Sequence, residues 1–281
     1  MNAREAFLRA CALDVAVRKP GNVSIHSAGH RMQAQQFLDS AQAAAGPLFT
    51  PGQGVGERIE AAVRASWTAA GCNTNLGIVL LSAPLAVAVE RHGEATQAAL
   101  EAVLSTLDLQ DARAAYRGIA HANPGGLGSA ETEDVHAEPH VGLRAAMVLA
   151  ADRDLIARQY RDAYADLFAR VPPLVPADRP EAAVQSLYLD WLAAFPDSHI
   201  VRKHGIAVAQ TVMAVAQSWR ARAAAGEVLD RVPEFAAWDE ALKSRGINPG
   251  TTADLTVATL MLSFLRAGGT DRDNPLPAPA V

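Results

Sequence analysis

The longest apolar segment of the chain covers residues 78–89 and follows a short polar stretch, residues 71–77, that contains two glycines. Because the segment is too long for an ordinary strand and is rich in leucine and alanine, it predicts a buried helix. Asn73 or Thr74 is placed to cap this helix, and Pro84 predicts a kink or a break inside it. A buried helix that begins at a polar, glycine-lined end indicates a site for an anionic ligand, although a capped core helix explains the same stretch.

Amphipathic patterns with a period near 3.6 residues predict helices over most of the remaining chain. The predicted helices cover residues 3–18, 32–45, 57–70, 94–107, 108–121, 142–170 (in two pieces that meet near Asp152), 181–195 and 234–245, with a long helix that opens at 197–205 and an apolar last helix that ends near Arg266. The chain shows no alternating strand pattern and no fixed-period repeat. We therefore expect an all-α, bundle-like fold with polar loops that converge at one end.

Composition agrees with packed helices, since 50% of the residues are hydrophobic and only 5% are aromatic. The proline-rich segment 171–180 is a connector between helices of similar character, so we expect a single domain over residues 1–267. Residues 268–281 predict a flexible, proline-rich tail.

The net charge and the cysteine positions limit the classes of binding partner and of cellular location that are expected. The formal net charge is −5 and no basic block stands out, which argues against a nucleic-acid surface. Residues 1–9 lack the apolar core of a signal peptide, and residues 76–89 are too few to span a bilayer, so no membrane role is expected. Cys11 and Cys72 give neither a metal spacing nor a disulfide framework, which suits a reducing cytoplasm. The sequence leaves a homodimer open.

Five loops of polar and turn-forming residues precede predicted helices, at residues 19–30, 71–77, 121–136, 197–205 and 246–254. In an all-helical protein, loops at one end of the bundle can form a single site. The chain carries neither the Walker A pattern nor the dinucleotide-binding fingerprint. A nucleotide would therefore have to be held by helix N-termini, basic side chains and Mg²⁺ on carboxylates.

The candidate residues of these loops also have structural explanations. Asp197 is placed to cap the helix after it, and Thr251 with Asp254 matches a capping-box spacing. Arg202 and Lys203 either bind phosphates or belong to a solvated face. The acidic residues at 131–134 form either a magnesium cluster or an ordinary loop. The occurrence of such residues in five similar loops favours the functional explanations.

Four short motifs occur in order along nearly the whole chain. They are Lys19-Pro20-Gly21, Asn73-Thr74, Asp197-Ser198 and Asn248-Pro249-Gly250-Thr251-Thr252-Ala253-Asp254-Leu255. In this combination, over roughly residues 5–266, the chain resembles the triphosphoribosyl-dephospho-CoA synthase family. The resemblance implies an all-helical transferase that joins ATP to 3′-dephospho-CoA and releases adenine, making the prosthetic-group precursor for citrate lyase or malonate decarboxylase.

The chain departs from the classical pattern of that family at three places. Classical members carry His-Lys where this chain has Asn75-Leu76, and Leu-Val-Asp where residues 22–24 read Asn-Val-Ser. They also have a Gly-Arg-Gly-Glu-Ala stretch where residues 123–128 read Asn-Pro-Gly-Gly-Leu-Gly. The chain is more similar to divergent relatives of archaea and methylotrophic bacteria. The resemblance therefore supports the fold and the nucleotide chemistry better than the acceptor.

The resemblance implies that an acceptor hydroxyl attacks C1 of the ATP ribose while adenine leaves and Mg²⁺ offsets the triphosphate charge. Under this hypothesis Asp134, Asp197 and Asp254 serve acid–base catalysis, and Glu133, Asp134 and Asp197 serve as metal ligands. The substrate-binding set comprises Lys19, Gly21, Asn22, Asn73, Thr74, Asn75, Arg202, Lys203, Asn248, Thr251 and Thr252. Within it the basic residues bind phosphates, and the asparagines at positions 73 and 75 contact hydroxyl groups or the base.

Two other functions stay open at this level. One is another ATP- or phosphate-dependent step in the assembly of a one-carbon carrier coenzyme, of the pterin or furan type. The other is a non-catalytic helical binding protein. The concentration of charged residues in loops at helix ends argues against the second, because a scaffold more often presents an apolar or charged helical face.

Overall fold

The chain folds into helices joined by loops, as the hydrophobic pattern predicts. The computed structural model describes residues 1–126, 128, 132–172 and 180–270, which contain fourteen α-helices, no strand and two isolated β-bridges. The helices are α1 (Ala3–Ala16), α2 (Ala34–Leu48), α3 (Val55–Ala70), α4 (Leu76–His92), α5 (Gln97–Leu104), α6 (Leu109–Ala122), α7 (Leu143–Ala150), α8 (Leu155–Arg161), α9 (Ala165–Arg170), α10 (Pro180–Ala194), α11 (Ser198–His204), α12 (Ile206–Ala224), α13 (Pro233–Ser244) and α14 (Gly250–Thr270), with a 3₁₀ helix at Leu229–Arg231. The all-α prediction is confirmed. Most of the predicted connector and residues 271–281 of the predicted tail lie outside the described residues.

Two helices, α4 and α14, form the centre of the molecule. Every residue of α4 from Leu76 to Ala88 is buried, and residues 255–262 of α14 have no exposed surface. The two helices pack on each other, with α1 and α10 on α14 and with α3 and α5 on α4. A helix that is apolar all round is typical of a core element, so the buried helix predicted from residues 78–89 is confirmed.

Apolar length is also the quantity that decides whether a helix can span a membrane. No single helix in the described part of the chain is both long and apolar enough to do so. Together α4 and α5 meet the requirement of length and composition only as a pair that is bent by 106°.

A second, smaller hydrophobic cluster lies beside the main core. Its members from α10, α12 and α13 include Tyr188, Leu192, Trp219 and Phe235. Because α10 and α14 contribute side chains to both clusters, they join the two. The single domain expected over residues 1–267 stays a prediction.

Pro84 lies inside α4 without interrupting the helix. Proline has no N–H, so the carbonyl of Leu80, four residues earlier, lacks its helical donor. The hydroxyl of Tyr160 donates to that carbonyl at 2.6 Å, and the hydroxyl of Tyr164 donates to the carbonyl of Leu81 at 3.0 Å. Of the kink or break predicted at Pro84, the break does not occur, because side chains from α8 and the start of α9 satisfy the carbonyls around the proline. The kink stays a prediction.

Two predicted helices are divided where the backbone leaves the helical region. The segment 142–170 contains three helices instead of two, because Ala163 and Tyr164 have φ values of 48° and 58°. Gly205, with φ of 85°, separates α11 from α12 where a single long helix was expected. The predicted loop 197–205 is therefore mostly the helix α11, which carries Arg202 and Lys203.

We expect Tyr160→Phe to destabilise the protein by about 1–3 kcal/mol, because the buried Leu80 carbonyl loses its donor. In a Pro84→Ala background, the restored N–H bonds the same carbonyl, and Tyr160→Phe should then cost less than about 1 kcal/mol. Urea unfolding of the wild type, the two single variants and the double variant measures this coupling. An equal cost in both backgrounds would contradict the pairing of tyrosine and proline.

Candidate active site

A cavity of about 440 Å³ opens where α4 and α14 begin, a volume typical of small-molecule sites. Gly77, in the first turn of α4, lies directly against Asp254 near the start of α14. A Cβ on Gly77 would lie 2.1 Å from Asp254 Oδ2, so only glycine permits this approach. The contact brings the N-terminal ends of both central helices to one site.

The lining of the cavity has an apolar part and a polar part. Helices α4, α6, α7 and α8 supply the apolar part, which includes Leu76, Ile78, Leu80, Ile119, Leu143, Met147, Ile156 and Ala157. Loops and helix ends supply the polar part, which includes Asp14, Asn22, Asn73, Thr74, Arg153, Asp154, His199, Arg202, Asn248, Thr251 and Asp254. Apolar walls with a few convergent polar groups are typical of ligand sites.

Asp254 is a cavity-facing carboxylate for which the described residues provide no hydrogen bond and no ion pair. Burial raises the pKa of Asp254 well above its usual range, and the nearby charges of Asp14 and Asp197 raise it further. Arg202 and Lys19 act in the opposite direction. Asp254 therefore holds its proton at pH values where an ordinary aspartate is ionised.

Lys19 lies behind the wall of the cavity and does not line it. Its buried ammonium pairs with Asp14 at 2.6 Å and donates to Asn22 Oδ1 at 2.7 Å, and the Asn22 amide donates to Asn248 Oδ1 at 3.0 Å. The three partners all line the cavity. Lys19 thus fixes three lining side chains, and this geometry does not support the direct phosphate contact predicted for it.

The loop after α1 is held by Asp239, a fully buried carboxylate of α13. Asp239 accepts the backbone N–H of Gly21 at 2.9 Å and pairs with Arg18 at 3.1 Å and with Lys243 at 3.0 Å. Gly21 itself has φ of 82° and leaves no room for a Cβ, which would lie 2.7 Å from Pro249. Gly21 therefore shapes the loop and does not line the cavity.

Asp197 is fully buried and does not line the cavity either. Its Oδ1 accepts the N–H of Ile200 at 3.0 Å, and its Oδ2 accepts the N–H and the hydroxyl of Thr252 at 2.7 and 2.8 Å. The carboxylate caps α11 and joins it to α14, and Thr252 is directed at Asp197 instead of the cavity. This geometry favours the capping explanation, while the catalytic and metal roles of Asp197 stay predictions.

Helix α11 gives the cavity a basic side. Arg202 lines the cavity, pairs with Asp154 at 2.5 Å, and has a buried Nε with no hydrogen-bond partner in the described part of the chain. Lys203 is exposed at the edge of the cavity, 2.8 Å from the position that a Cβ on Gly125 would take. His199 also lines the cavity, and burial together with the cations of Lys203 and Arg202 lowers its pKa to about 3, so that it is neutral.

Glu133 and Asp134 line the cavity at its acidic loop. Glu133 accepts hydrogen bonds from the hydroxyl of Tyr116 and the backbone of His140, and Asp134 accepts a backbone N–H two residues on. Glu131 lies outside the described residues. Within those residues, no group of three or more His, Cys, Asp or Glu side chains is arranged to hold a metal ion. The metal roles of this loop stay predictions.

The start of α4 places Asn73 and Thr74 on the cavity and turns Asn75 away from it. Asn75 is the N-cap residue of the helix, but the cap hydrogen bond comes from Asn73 Oδ1, which accepts the N–H of Leu76 at 3.2 Å. Asn75 borders a separate void of about 10 Å³. The contact predicted between Asn75 and a ligand is therefore not supported by its position.

The structure thus brings together some of the predicted residues at one cavity. These are Asn22, Asn73, Thr74, Glu133, Asp134, Arg202, Asn248, Thr251 and Asp254. The predicted residues that do not line it are Lys19, Gly21, Asn75, Asp197, Lys203 and Thr252. Sequence reasoning missed Asp14, Tyr116, Arg153 and Asp154. Of these four residues, only Asp14 could have been recognised from the sequence, because a charged residue three positions after Cys11 falls on the apolar stripe of α1.

Comparisons with known proteins agree with this architecture. A family model described as CitG, ATP:dephospho-CoA triphosphoribosyl transferase, matches residues 1–273. The crystal structure of an Archaeoglobus fulgidus protein, assigned as a triphosphoribosyl-dephospho-CoA synthase, superposes with a TM-score of 0.65 at 25% sequence identity. The match covers 81% of this chain and 98% of that one. No curated protein is significantly similar in sequence.

We expect Gly77→Ala to destabilise the protein by about 1–3 kcal/mol, because its methyl group would overlap Asp254 Oδ2 and lie 2.6 Å from Ile156 Cδ1. Ser82→Ala is the matched control on the same helix, since the described residues offer its buried hydroxyl no hydrogen-bond partner. That change should alter stability by less than about 0.5 kcal/mol. Urea unfolding measures both, and a Gly77→Ala protein as stable as the wild type would disprove the close contact.

Asp197→Asn should also destabilise the protein by about 1–3 kcal/mol, because an amide nitrogen would face the N–H and hydroxyl of Thr252. Thr252→Val is the control, since it removes the hydroxyl and keeps the N–H. Melting temperature and turnover are measured on the same samples. Unchanged melting with turnover reduced on the order of 100-fold would instead support the catalytic role of Asp197.

Proposed function

Because this chain belongs to the CitG family of ATP:dephospho-CoA triphosphoribosyl transferases, we propose that its cavity is the active site where ATP and dephospho-CoA react. The family uses ATP to transfer a triphosphoribosyl group onto dephospho-CoA. The observation that carries the assignment is the Asp254 carboxylate at the meeting point of two helix N-termini, inside a cavity with a basic side. No other residue in the described part of the chain pairs with it.

The transfer exchanges one bond at the anomeric carbon for another. A hydroxyl oxygen of dephospho-CoA bonds to C1 of the ATP ribose as the bond from C1 to the adenine nitrogen breaks. The hydroxyl proton goes to a base, and the departing adenine takes up a proton. Positive charge develops on the ribose in the transition state, so a carboxylate close to C1 and a proton donor close to the purine both lower the barrier.

Asp254 suits the proton transfer in this scheme. Its raised pKa favours the protonated carboxyl, which can pass its proton to the departing adenine. Once ionised, the same group stabilises the positive ribose. Asp14, buried beside it and paired with Lys19, adds negative charge to this end of the cavity.

The phosphates fit the basic side of the cavity. Arg202 presents a buried Nε that has no hydrogen-bond partner among the described residues, and Lys203 lies at the rim. The start of α14 adds Thr251 and the positive end of the helix dipole. Asn22, Asn73 and Asn248 line the same polar part and are placed to hydrogen-bond ribose hydroxyls.

The residues of the cavity fit a magnesium ion that arrives with the triphosphate. Mg²⁺ is usually held by one or two carboxylates together with substrate phosphates, and Asp134 offers a carboxylate at the cavity. When bound, the ion would offset the triphosphate charge. The described residues supply no preformed cage of three ligands, which agrees with an ion carried by the nucleotide.

Family membership does not favour the two alternatives, a different step in one-carbon coenzyme assembly and a non-catalytic binding protein. We further propose a cytoplasmic location, in keeping with the unpaired thiols of Cys11 and Cys72. A homodimer stays a prediction.

The proposed function predicts that the protein, incubated with Mg²⁺, ATP and dephospho-CoA, releases free adenine in equal amount to the transferred product. Asp254→Asn should lower turnover on the order of 100-fold or more, because it removes the group that exchanges the proton. Chromatography of the purine products measures both.

Asp190→Asn serves as the control, since Asp190 is an exposed carboxylate that does not line the cavity. It should leave turnover unchanged. Release of ADP or AMP in place of adenine would indicate phosphoryl or adenylyl transfer and overturn the proposal. Full turnover by a folded Asp254→Asn protein would overturn the role of Asp254 alone.

A further inference from the structure

Glu133 and Tyr116 form a hydrogen-bonded pair on the wall of the cavity, and the reaction described above gives this pair no role. We propose that the pair recognises the 6-amino group of an adenine ring, with Glu133 as the acceptor and Tyr116 as the residue that positions it. The inference rests on the proposed function, because it takes the cavity as the place where adenine nucleotides bind.

The pair belongs to the part of the wall that carries apolar side chains. Tyr116 lies on α6 one turn before Ile119, and both line the cavity together with Glu133. Tyr116 is 5% exposed, and the Glu133 side chain is 10% exposed. Flat, apolar purine faces suit such a wall, with Leu143 and Met147 also in the lining. A carboxylate so little exposed to water favours a ligand that donates hydrogen bonds to it.

Hydrogen bonds fix the orientation of the Glu133 carboxylate and leave part of it available. The hydroxyl of Tyr116 lies 3.2 Å from Glu133 Oε2 and 3.1 Å from the Glu133 carbonyl oxygen. The N–H of His140 lies 3.2 Å from each carboxylate oxygen. The His140 ring also lies nearby, with Nδ1 3.5 Å from Glu133 Oε1, at the outer limit of a hydrogen bond. The two hydrogen-bond donors use only part of the roughly four acceptor positions of a carboxylate. The remaining positions can accept an amino group of a ligand.

The backbone of Glu133 is held in an unfavourable conformation. Its φ is 53°, a left-handed value that costs energy for a residue other than glycine. A turn alone could be made at lower cost with glycine, as at Gly126, where φ is 78°. The Tyr116 hydroxyl supports the strained residue through its carbonyl and its side chain. Strained positions of this kind cluster at ligand sites, which agrees with a recognition role.

A carboxylate distinguishes two classes of purine. It accepts hydrogen bonds and donates none, so it matches the N–H donors of a 6-aminopurine and opposes the oxygen of a 6-oxopurine. Sites that hydrogen-bond a substrate group reject analogues without that group far more strongly than apolar sites do. ATP and dephospho-CoA both contain adenine, so the shared chemistry is the 6-amino group, and the two sources are separated by experiment.

The experiment compares 6-amino and 6-oxo purines in two arms. The donor arm compares ATP with inosine triphosphate at constant dephospho-CoA, and the acceptor arm compares dephospho-CoA with its inosine analogue at constant ATP. In Glu133→Gln, whose amide can donate to a 6-oxo group, the kcat/KM ratio of 6-amino to 6-oxo substrate should fall at least about tenfold in one arm. That arm identifies the purine. Tyr116→Phe should lower the same ratio by a smaller factor. It removes the hydrogen bond that orients the Glu133 carboxylate, but the carboxylate itself is still present.

Glu138→Gln is the matched control, an exposed glutamate of the same loop that pairs with Arg113 and does not line the cavity. It should leave both ratios at the wild-type value. Unchanged ratios in Tyr116→Phe and in a folded Glu133→Gln would overturn the inference; if Glu133→Gln does not fold, Tyr116→Phe alone decides. A wild-type protein that releases no adenine from ATP would count against the proposed function, whereas release with unchanged ratios would count only against this inference.

Discussion

The contact between Gly77 and Asp254 sets the arrangement at the centre of the molecule. It lets the backbone of α4 pack directly on the Asp254 side chain of α14, and it leaves that carboxyl group facing the cavity. The described residues give this buried carboxyl group no partner, which is unfavourable, so its position has to be maintained by the structure around it. The same burial raises the pKa of Asp254, on which the proposed proton transfer depends.

Buried ionic groups behind the cavity hold the surrounding structure in position. Lys19 holds the lining residues of the first loop, Asp239 holds the loop itself, and Asp197 joins α11 to α14. None of the three lines the cavity. Groups of this kind orient the residues that contact a ligand, and their loss is felt through the geometry they impose. The family motifs at Lys19 and Asp197 therefore include residues that hold the cavity-lining residues in place, and not only residues that line the cavity.

The sequence was sufficient for the fold because long apolar periods have few ways to be buried, and α4 is the clearest case. It was also sufficient to place Asn73 and Asp254 at the cavity, since polar residues at the start of a buried helix need a cavity or solvent beside them. The direction of a side chain was not predictable. The residue types at Lys19 and Asp197 do not show whether their side chains contact a ligand or a neighbouring residue. Only the packing around them decides this. The positive φ at Tyr164 could not be predicted either, because the residue there is not a glycine.

The bond from Tyr160 to the carbonyl that Pro84 leaves free bears on how sequences of this fold can diverge. A lineage that replaces the tyrosine first passes through a weakened protein, whereas one that loses the proline first reaches a background in which the tyrosine is dispensable. The order of substitution therefore decides which path is open. Because Ile156 of the cavity wall lies one turn before Tyr160 on α8, a substitution of the tyrosine takes place directly beside the lining of the site.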